Sequence, residues 1–239
     1  MLGVSRDGDV VTIELQRPQR RNALNEELVA LLHEAVTAAA ADARVIVLTG
    51  AGRIFCAGAD LDGAHSEQFL RALMAMLHAV ENAPVPVISA IHGGALGAGV
   101  QLTLASDLRV LSPDAFVGIP AAKLGVSLDN WTVRRLAALI GGGPARTMLL
   151  GAELIPAADA YTFGYANRIG TPADAQAWAK QIATLAPLSL RHLKMVLNGG
   201  DGAETPEQAA ALRAAWESAD AEEAMVARRE KRAPKFVGR

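Results

Sequence analysis

Pro84-Val85-Pro86-Val87-Ile88-Ser89-Ala90-Ile91-His92-Gly93-Gly94-Ala95-Leu96-Gly97-Ala98-Gly99-Val100-Gln101-Leu102-Thr103-Leu104-Ala105-Ser106-Asp107-Leu108-Arg109 is the stretch on which the fold turns. Two prolines lead into a β-branched apolar run, small residues follow, and an apolar segment at helical spacing comes next. The order predicts a buried strand, a tight turn and a helix. Such a helix start leaves backbone N–H groups without partners, adds the positive end of the helix dipole, and lets a ligand approach the glycines. It suits an oxygen that carries or develops negative charge; a glycine turn used only for close packing is the alternative. The segment is long and apolar enough to suggest a membrane span, but the glycine cluster, His92 and Gln101 argue for a strand and a helix instead.

Outward from this centre, composition sets bounds. A chain of 239 residues can bury a sizeable core, and 51% apolar with 4% aromatic residues implies an Ala, Leu and Val interior rich in helix. A net charge of -2 provides no global attraction to nucleic acid or acidic membranes, so the expected partners are small molecules or further copies of the chain. The single cysteine, Cys56, excludes an intrachain disulfide and a multi-thiolate zinc site, and it reads as a small buried hydrophobe. Arg6, Asp7 and Asp9 interrupt any apolar leader, so a cytoplasmic location is the expectation.

Before the central stretch, Val10 to Leu15 reads as a strand that ends at Arg17-Pro18. Asn25 reads as the N-cap of a helix, with Glu26 and Glu27 at its positive end and Leu28, Leu31, Leu32, Ala35 and Val36 on one face. Arg17, Arg20 and Arg21 lie between them, as a solvated loop or a phosphate-binding cluster. Arg44 to Gly50 is a fully buried strand emptying into a Gly-rich loop, a second place where small residues expose N–H groups. Two such stations could grip one oxygen from two sides. Phe69, Leu73, Met76, Leu77 and Val80 mark a core-facing helix.

After it, Arg109 to Leu111 and Ala115 to Pro120 read as extended, and Leu124 to Trp131 as a loop opening a helix through Leu139. A helix starting at Gly143-Pro144 ends near Gly151, and Pro156 and Pro187 are expected in the first turns of later helices. Leu212, Ala215, Trp216, Ala219 and Val226 form one long amphipathic stripe. The basic tail, Arg228 to Arg239, is either a solvated, partly frayed terminus or a phosphate grip. His92 reads as a satisfied core histidine.

Taken together, Arg17-Pro18 with Asn22-Ala23-Leu24-Asn25, Phe55-Cys56-Ala57-Gly58-Ala59-Asp60-Leu61, Ala95-Leu96-Gly97-Ala98-Gly99 and Ser106-Asp107-Leu108-Arg109 resemble the crotonase, or enoyl-CoA hydratase/isomerase, family over essentially the whole chain. The resemblance implies an α/β fold: a crotonase-like spiral of ββα units over residues 1–185 and a helical C-terminal trimerisation region over 186–239, with trimers often paired into hexamers. It implies a fatty acyl-CoA or enoyl-CoA ligand, with coenzyme A entering only as part of that ligand and no separate cofactor or metal. The N–H groups of Ala59 and Ala98 then form the oxyanion hole, where one donor is worth roughly 2.7 to 4 kcal/mol as charge develops. Ala57, Gly58, Asp60 and Leu61 border the coenzyme A, and Arg21 and the basic tail, including Lys235, lie near its phosphates, the tail from this or a neighbouring subunit.

Two departures matter. At the positions of the family's two catalytic glutamates stand Gln101 and Ala121, and neither can accept or supply a proton near neutral pH. Each properly placed acid or base contributes on the order of 10²- to 10⁴-fold. Asp129 matches a loop position where some family isomerases and dehalogenases carry a functional aspartate, and it could shuttle a proton or simply cap the following helix. The lost glutamates and the Leu128-Asp129-Asn130-Trp131 loop resemble a catalytically deficient, acyl-CoA-binding branch associated with mycolic-acid synthesis. The expectation is an acyl-CoA carrier serving fatty-acid-elongation enzymes. The alternatives are a hydratase or isomerase using Asp129, with Gln101 placing water, and a purely structural subunit. The acyl chain is expected against the helix over 66–80 and the Asp129 loop.

Overall fold

The computed structural model describes residues 1–60, 66–199 and 202–239. Strands β1 (Leu2–Asp7) and β2 (Val10–Leu15) form a hairpin, followed by helix α1 (Glu26–Ala40), β3 (Val45–Gly50), α2 (Glu67–Glu81) and β4 (Val87–Ile91). The central stretch continues as β5 (Gly94–Leu96), α3 (Ala98–Ala105) and β6 (Leu108–Leu111), then β7 (Phe116–Gly118) and α4 (Asn130–Ile140). Then come α5 (Gly142–Leu149), β8 (Ile155–Pro156), α6 (Ala157–Thr162), β9 (Arg168–Ile169), α7 (Pro172–Ala183), α8 (Pro187–Asn198), α9 (Pro206–Trp216) and α10 (Ala219–Glu230).

Among the described residues the strands make two sheets. One runs β1-β2-β3-β4-β6-β9, parallel after the first hairpin; the other runs β5-β7-β8. Bridges Leu24↔Ala59 and Cys56↔Ala95 extend the second sheet with short extended pieces that follow β2 and β3. The chain therefore winds as a spiral, each turn adding one strand to the large sheet and one short piece to the small one.

The continuous apolar runs of β3 and β4 follow from burial on both faces. Ile46 and Leu48 join the core beneath α1, α2 and α3, whereas Val45, Val47, Ile88 and Val110 pack on Ala175, Ala179 and Ile182 of α7. Polar residues on the α7 side are paired, as where Gln176 Nε2 donates to Thr12 Oγ1 at 2.7 Å. Asn25 and Ser66 cap α1 and α2 by accepting from Leu28 and Phe69 N–H groups, each cap worth about 1 kcal/mol. Arg109, buried at the start of β6, donates to the carbonyls of Thr103, Ser106 and Tyr165 and so satisfies the C-terminal end of α3.

Several expectations need correction. The strand Leu2–Asp7 has no counterpart in the sequence reading, because an edge strand with a mostly exposed face shows no alternation. The single stripe over 212–226 is two helices: Ser218 caps α10 by accepting from Ala221 N–H, and Trp216 ends α9 with 77% of its surface exposed. Pro156 stands at the N-cap of α6, one position ahead of the first turn, while Pro187 does open α8. The tail is tied down as well: buried Asp220 accepts from the N–H groups of Val237 and Gly238 at 2.6 and 2.9 Å, and Arg44 donates to Phe236 O.

Helix α8 is locked to the spiral through Lys194, whose ammonium reaches Asp107 Oδ2 at 2.7 Å and the carbonyls of Val80 and Val85. Burial pushes the Asp107 carboxyl up and the Lys194 ammonium down, while their mutual attraction opposes both shifts. No helix among the described residues is long and apolar enough to cross a membrane.

Candidate active site

The two N–H stations meet because the segment after β3 runs beside β5. Cys56 N–H donates to Gly94 O at 3.1 Å and Leu96 N–H to Cys56 O at 2.9 Å. On the other edge, Leu24 N–H donates to Gly58 O at 2.8 Å and Asp60 N–H to Leu24 O at 2.7 Å. Extended backbone alternates its amide directions, so Ala59 N–H points away from Leu24, toward the start of α3. There Gly97 is the N-cap at φ 50° and Ala98 is the first helical residue, whose amide has no intrahelical acceptor. Neither amide donates to an acceptor among the described residues.

Glycine is required at the crossing. Gly58 has φ 103°, and a Cβ there would lie 2.8 Å from Leu96 O and 3.6 Å from Ala98 N. The same figures place the 58–59 backbone directly beside the Ala98 amide. All eight residues of α3 are buried, so the dipole of this short helix acts in a water-poor setting.

The Arg17–Asn25 connection holds the first station in place. Arg21 and Asn22 both adopt left-handed backbone, at φ 52° and 55°. The buried Asn22 side chain accepts from Arg17 N–H at 2.9 Å and donates to the carbonyls of Ala51 and Ile54, each at 2.8 Å. Ala57 N–H closes on Arg21 O at 2.9 Å, and Cys56 Sγ contacts Asn22 O at 3.1 Å. Burial pushes the Cys56 thiol up to about 12, consistent with a packing role. Within the basic cluster, Arg17 is buried and pairs with Asp60 Oδ2 at 3.1 Å, and Arg20 reaches Asp60 Oδ1 at 3.7 Å. Arg17 is therefore a structural brace, while Arg20 and Arg21 line the cavity described next.

The stations open on a cavity of about 910 Å³. Arg20, Arg21 and Asp60 supply polar lining; Phe69, Leu73 and Leu128 supply apolar wall. Ala57, Gly58, Ala59, Ala98, Gln101 and Ala121 all line it, so these expected site residues share one cavity, whereas Asp129 is not among its lining residues. The cavity wall also takes Phe69, Leu70 and Leu73 from α2, and Val126, Ser127 and Leu128 from the loop before α4.

Asp129 caps α4. Its Oδ1 accepts from Thr132 N–H at 2.8 Å, and its Oδ2 accepts from Thr132 Oγ1 at 2.7 Å and from Gln101 Nε2 at 3.0 Å. Gln101 Nε2 also donates to Thr132 Oγ1 at 2.7 Å. The cap expected of Asp129 is thus formed, at the N-terminus of α4. Thr132 escaped notice in the sequence, although Asp129 and Thr132 stand at the N-cap and N3 spacing that would have shown it.

Other expected residues lie apart. Lys235 lines a separate cavity of about 430 Å³, with Arg44, Lys180 and Phe236, in the same protomer. Leu61 lies outside the described residues. His92 Nε2 is 3.1 Å from Gly52 O, but Nδ1 is buried without a partner among the described residues, so this histidine is only half satisfied. No cluster of metal-ligating side chains occurs among the described residues.

Known proteins place this architecture. The probable enoyl-CoA hydratase echA6 of Mycobacterium tuberculosis is 52% identical over 242 residues, covering all of both chains. A solved enoyl-CoA hydratase/carnithine racemase from Magnetospirillum magneticum superimposes with a TM-score of 0.92 at 29% identity, covering 100% of this chain and 96% of that one. The enoyl-CoA hydratase from Bacillus anthracis gives 0.89 at 31% identity, covering 100% and 99%. With the enoyl-CoA hydratase/isomerase family profile matching residues 5–239, the chain belongs to that family and has the crotonase fold.

Proposed function

We propose that this protein binds a fatty acyl-CoA or enoyl-CoA thioester, with its carbonyl oxygen between the Ala59 and Ala98 amides, and carries it without hydrating it. One observation carries the reading: the Ala59 and Ala98 amides, without a partner among the described residues, open on a cavity lined by Gln101 and Ala121, the two positions at which the family resemblance implies glutamates. A carboxamide and a methyl group bind and orient, but they do not transfer protons near neutral pH. Asp129 supports the same reading, because both of its carboxylate oxygens are engaged by Thr132 and Gln101.

In this reading Arg21 meets the coenzyme A phosphates as they leave the cavity. Lys235 joins them from a neighbouring protomer of a homotrimer or hexamer in the cytoplasm. Large exposed apolar side chains in the C-terminal helices, such as Leu197 at 82% and Trp216 at 77%, favour association between copies. A carrier of this kind delivers acyl-CoA to enzymes that elongate fatty acids.

The test is calorimetric titration with a series of short to long trans-2-enoyl-CoAs, followed by turnover assays on the same ligands. Binding without turnover is the expected result. Turnover that is abolished by Asp129→Asn would replace the carrier with an enzyme using Asp129; absence of binding across the series would refute both.

A further inference from the structure

The Gln101 side chain is oriented, and its orientation has a chemical meaning. A carboxylate only accepts, so the group that Gln101 turns toward Asp129 Oδ2 must be its NH₂. Thr132 Oγ1 gives its proton to the same carboxylate oxygen and accepts from Gln101 with a lone pair. The amide nitrogen is thereby held against Asp129 Oδ2 and Thr132 Oγ1, and the carbonyl Oε1 points the other way. Oε1 has no partner among the described residues and is not among the buried unpartnered atoms, although Gln101 is 6% exposed and lines the cavity. The cavity is therefore where Oε1 is accessible.

Ala98 and Gln101 are three residues apart on α3 and so lie on the same face, with about 5 to 6 Å between Cβ positions. A thioester oxygen fixed at the Ala98 amide places the acyl β-carbon in the neighbourhood of Gln101. A fixed acceptor there rewards a donor on that carbon. A hydroxyl supplies one; a saturated methylene or a vinyl C–H does not, and either leaves Oε1 desolvated and unpaired.

We propose that Gln101 is a specificity-determining residue, with Asp129 and Thr132 as its positioning residues, and that it makes the cavity select 3-hydroxyacyl thioesters over saturated and 2-enoyl thioesters of equal length. The inference rests on acyl-CoA binding in this cavity. It differs from the carrier reading in predicting which oxidation and hydration state of the chain is held.

The experiment compares three coenzyme A thioesters of one chain length, saturated, trans-2-enoyl and 3-hydroxy, by calorimetry against the full-length protein. The 3-hydroxy ligand is expected to bind about 3- to 10-fold more tightly than the saturated one, the range of one net hydrogen bond. Gln101→Met should bring that ratio to near one. Asp129→Asn, which keeps a good helix cap but lets the amide turn either way, should lower it. A ratio near one in the unmodified protein, or a ratio that survives Gln101→Met, overturns the specificity claim. A ratio unchanged by Asp129→Asn overturns the positioning claim even if the methionine variant does not fold. If none of the three thioesters binds, the acyl-CoA reading itself fails and this inference with it.

Discussion

Replacing Gln101 by glutamate puts a second carboxyl against the Asp129 carboxylate, at the 3.0 Å now spanned by an amide hydrogen bond. Two unit charges at that distance repel by about 5 kcal/mol at an effective dielectric of about 20, equivalent to roughly four pKa units. Asp129 is only half-buried, and solvent screening brings the usable figure to about one or two units. The introduced carboxyl is therefore expected to hold its proton above the usual glutamate range when the protein is folded. A raised folded-state pKa means that the folded protein binds more protons than the unfolded chain. The charge penalty is thus absent below about pH 4, grows as pH rises through about 4 to 6, and levels at about 1.4 to 2.7 kcal/mol above that. Urea unfolding of Gln101→Glu and the parent at several values from pH 4 to 8 measures it. A stability difference that does not change with pH would refute the carboxamide-to-carboxylate geometry on which the reasoning stands.

Three further outcomes are expected. Gly58→Ala forces a Cβ to 2.8 Å from Leu96 O at φ 103°, so it should cost about 1 to 3 kcal/mol and abolish acyl-CoA binding, as read by thermal unfolding and calorimetry. Cys56, buried and with its thiol pushed up to about 12, should resist a thiol-specific chromogenic reagent at pH 8 in the native protein and react fully in denaturant; rapid native labelling would contradict the packing around Asn22. Asp220→Ala leaves the Val237 and Gly238 amides without their acceptor and should cost about 1 to 3 kcal/mol while exposing the tail to limited proteolysis. A tail as resistant as in the parent would show that Asp220 does not hold it.

Local chemistry decides which parts of this fold are legible in the sequence. The continuous apolar runs of β3 and β4, the Asn25 cap and the small-residue stations at 58–59 and 97–98 are short-range signals, and they located the buried strands and both amides. Arg21, Ala57, Gly58, Ala59, Asp60, Ala98, Gln101 and Ala121 line one cavity because the stations follow adjacent strands. What escaped notice depends on contacts distant in sequence. Arg17 brackets Asp60 across 43 positions, and Gln101 finds Asp129 across 28. No periodicity reports such pairings. The same holds for Lys194, whose buried ion pair with Asp107 spans 87 positions. The break between α9 and α10 was hidden because its apolar residues keep helical spacing on both sides of the Ser218 cap.

The central claim is that a thioester oxygen sits between the Ala59 and Ala98 amides. Infrared difference spectroscopy of a bound acyl-CoA with an isotope-labelled thioester carbonyl tests it most directly. Two hydrogen bonds from a buried, dipole-backed site should move the carbonyl band to lower frequency than in water. Ala98→Pro removes one donor at a first-turn position that accepts proline, and should reverse much of the shift. A bound carbonyl band at its solution frequency, or a shift indifferent to Ala98→Pro, would contradict the account.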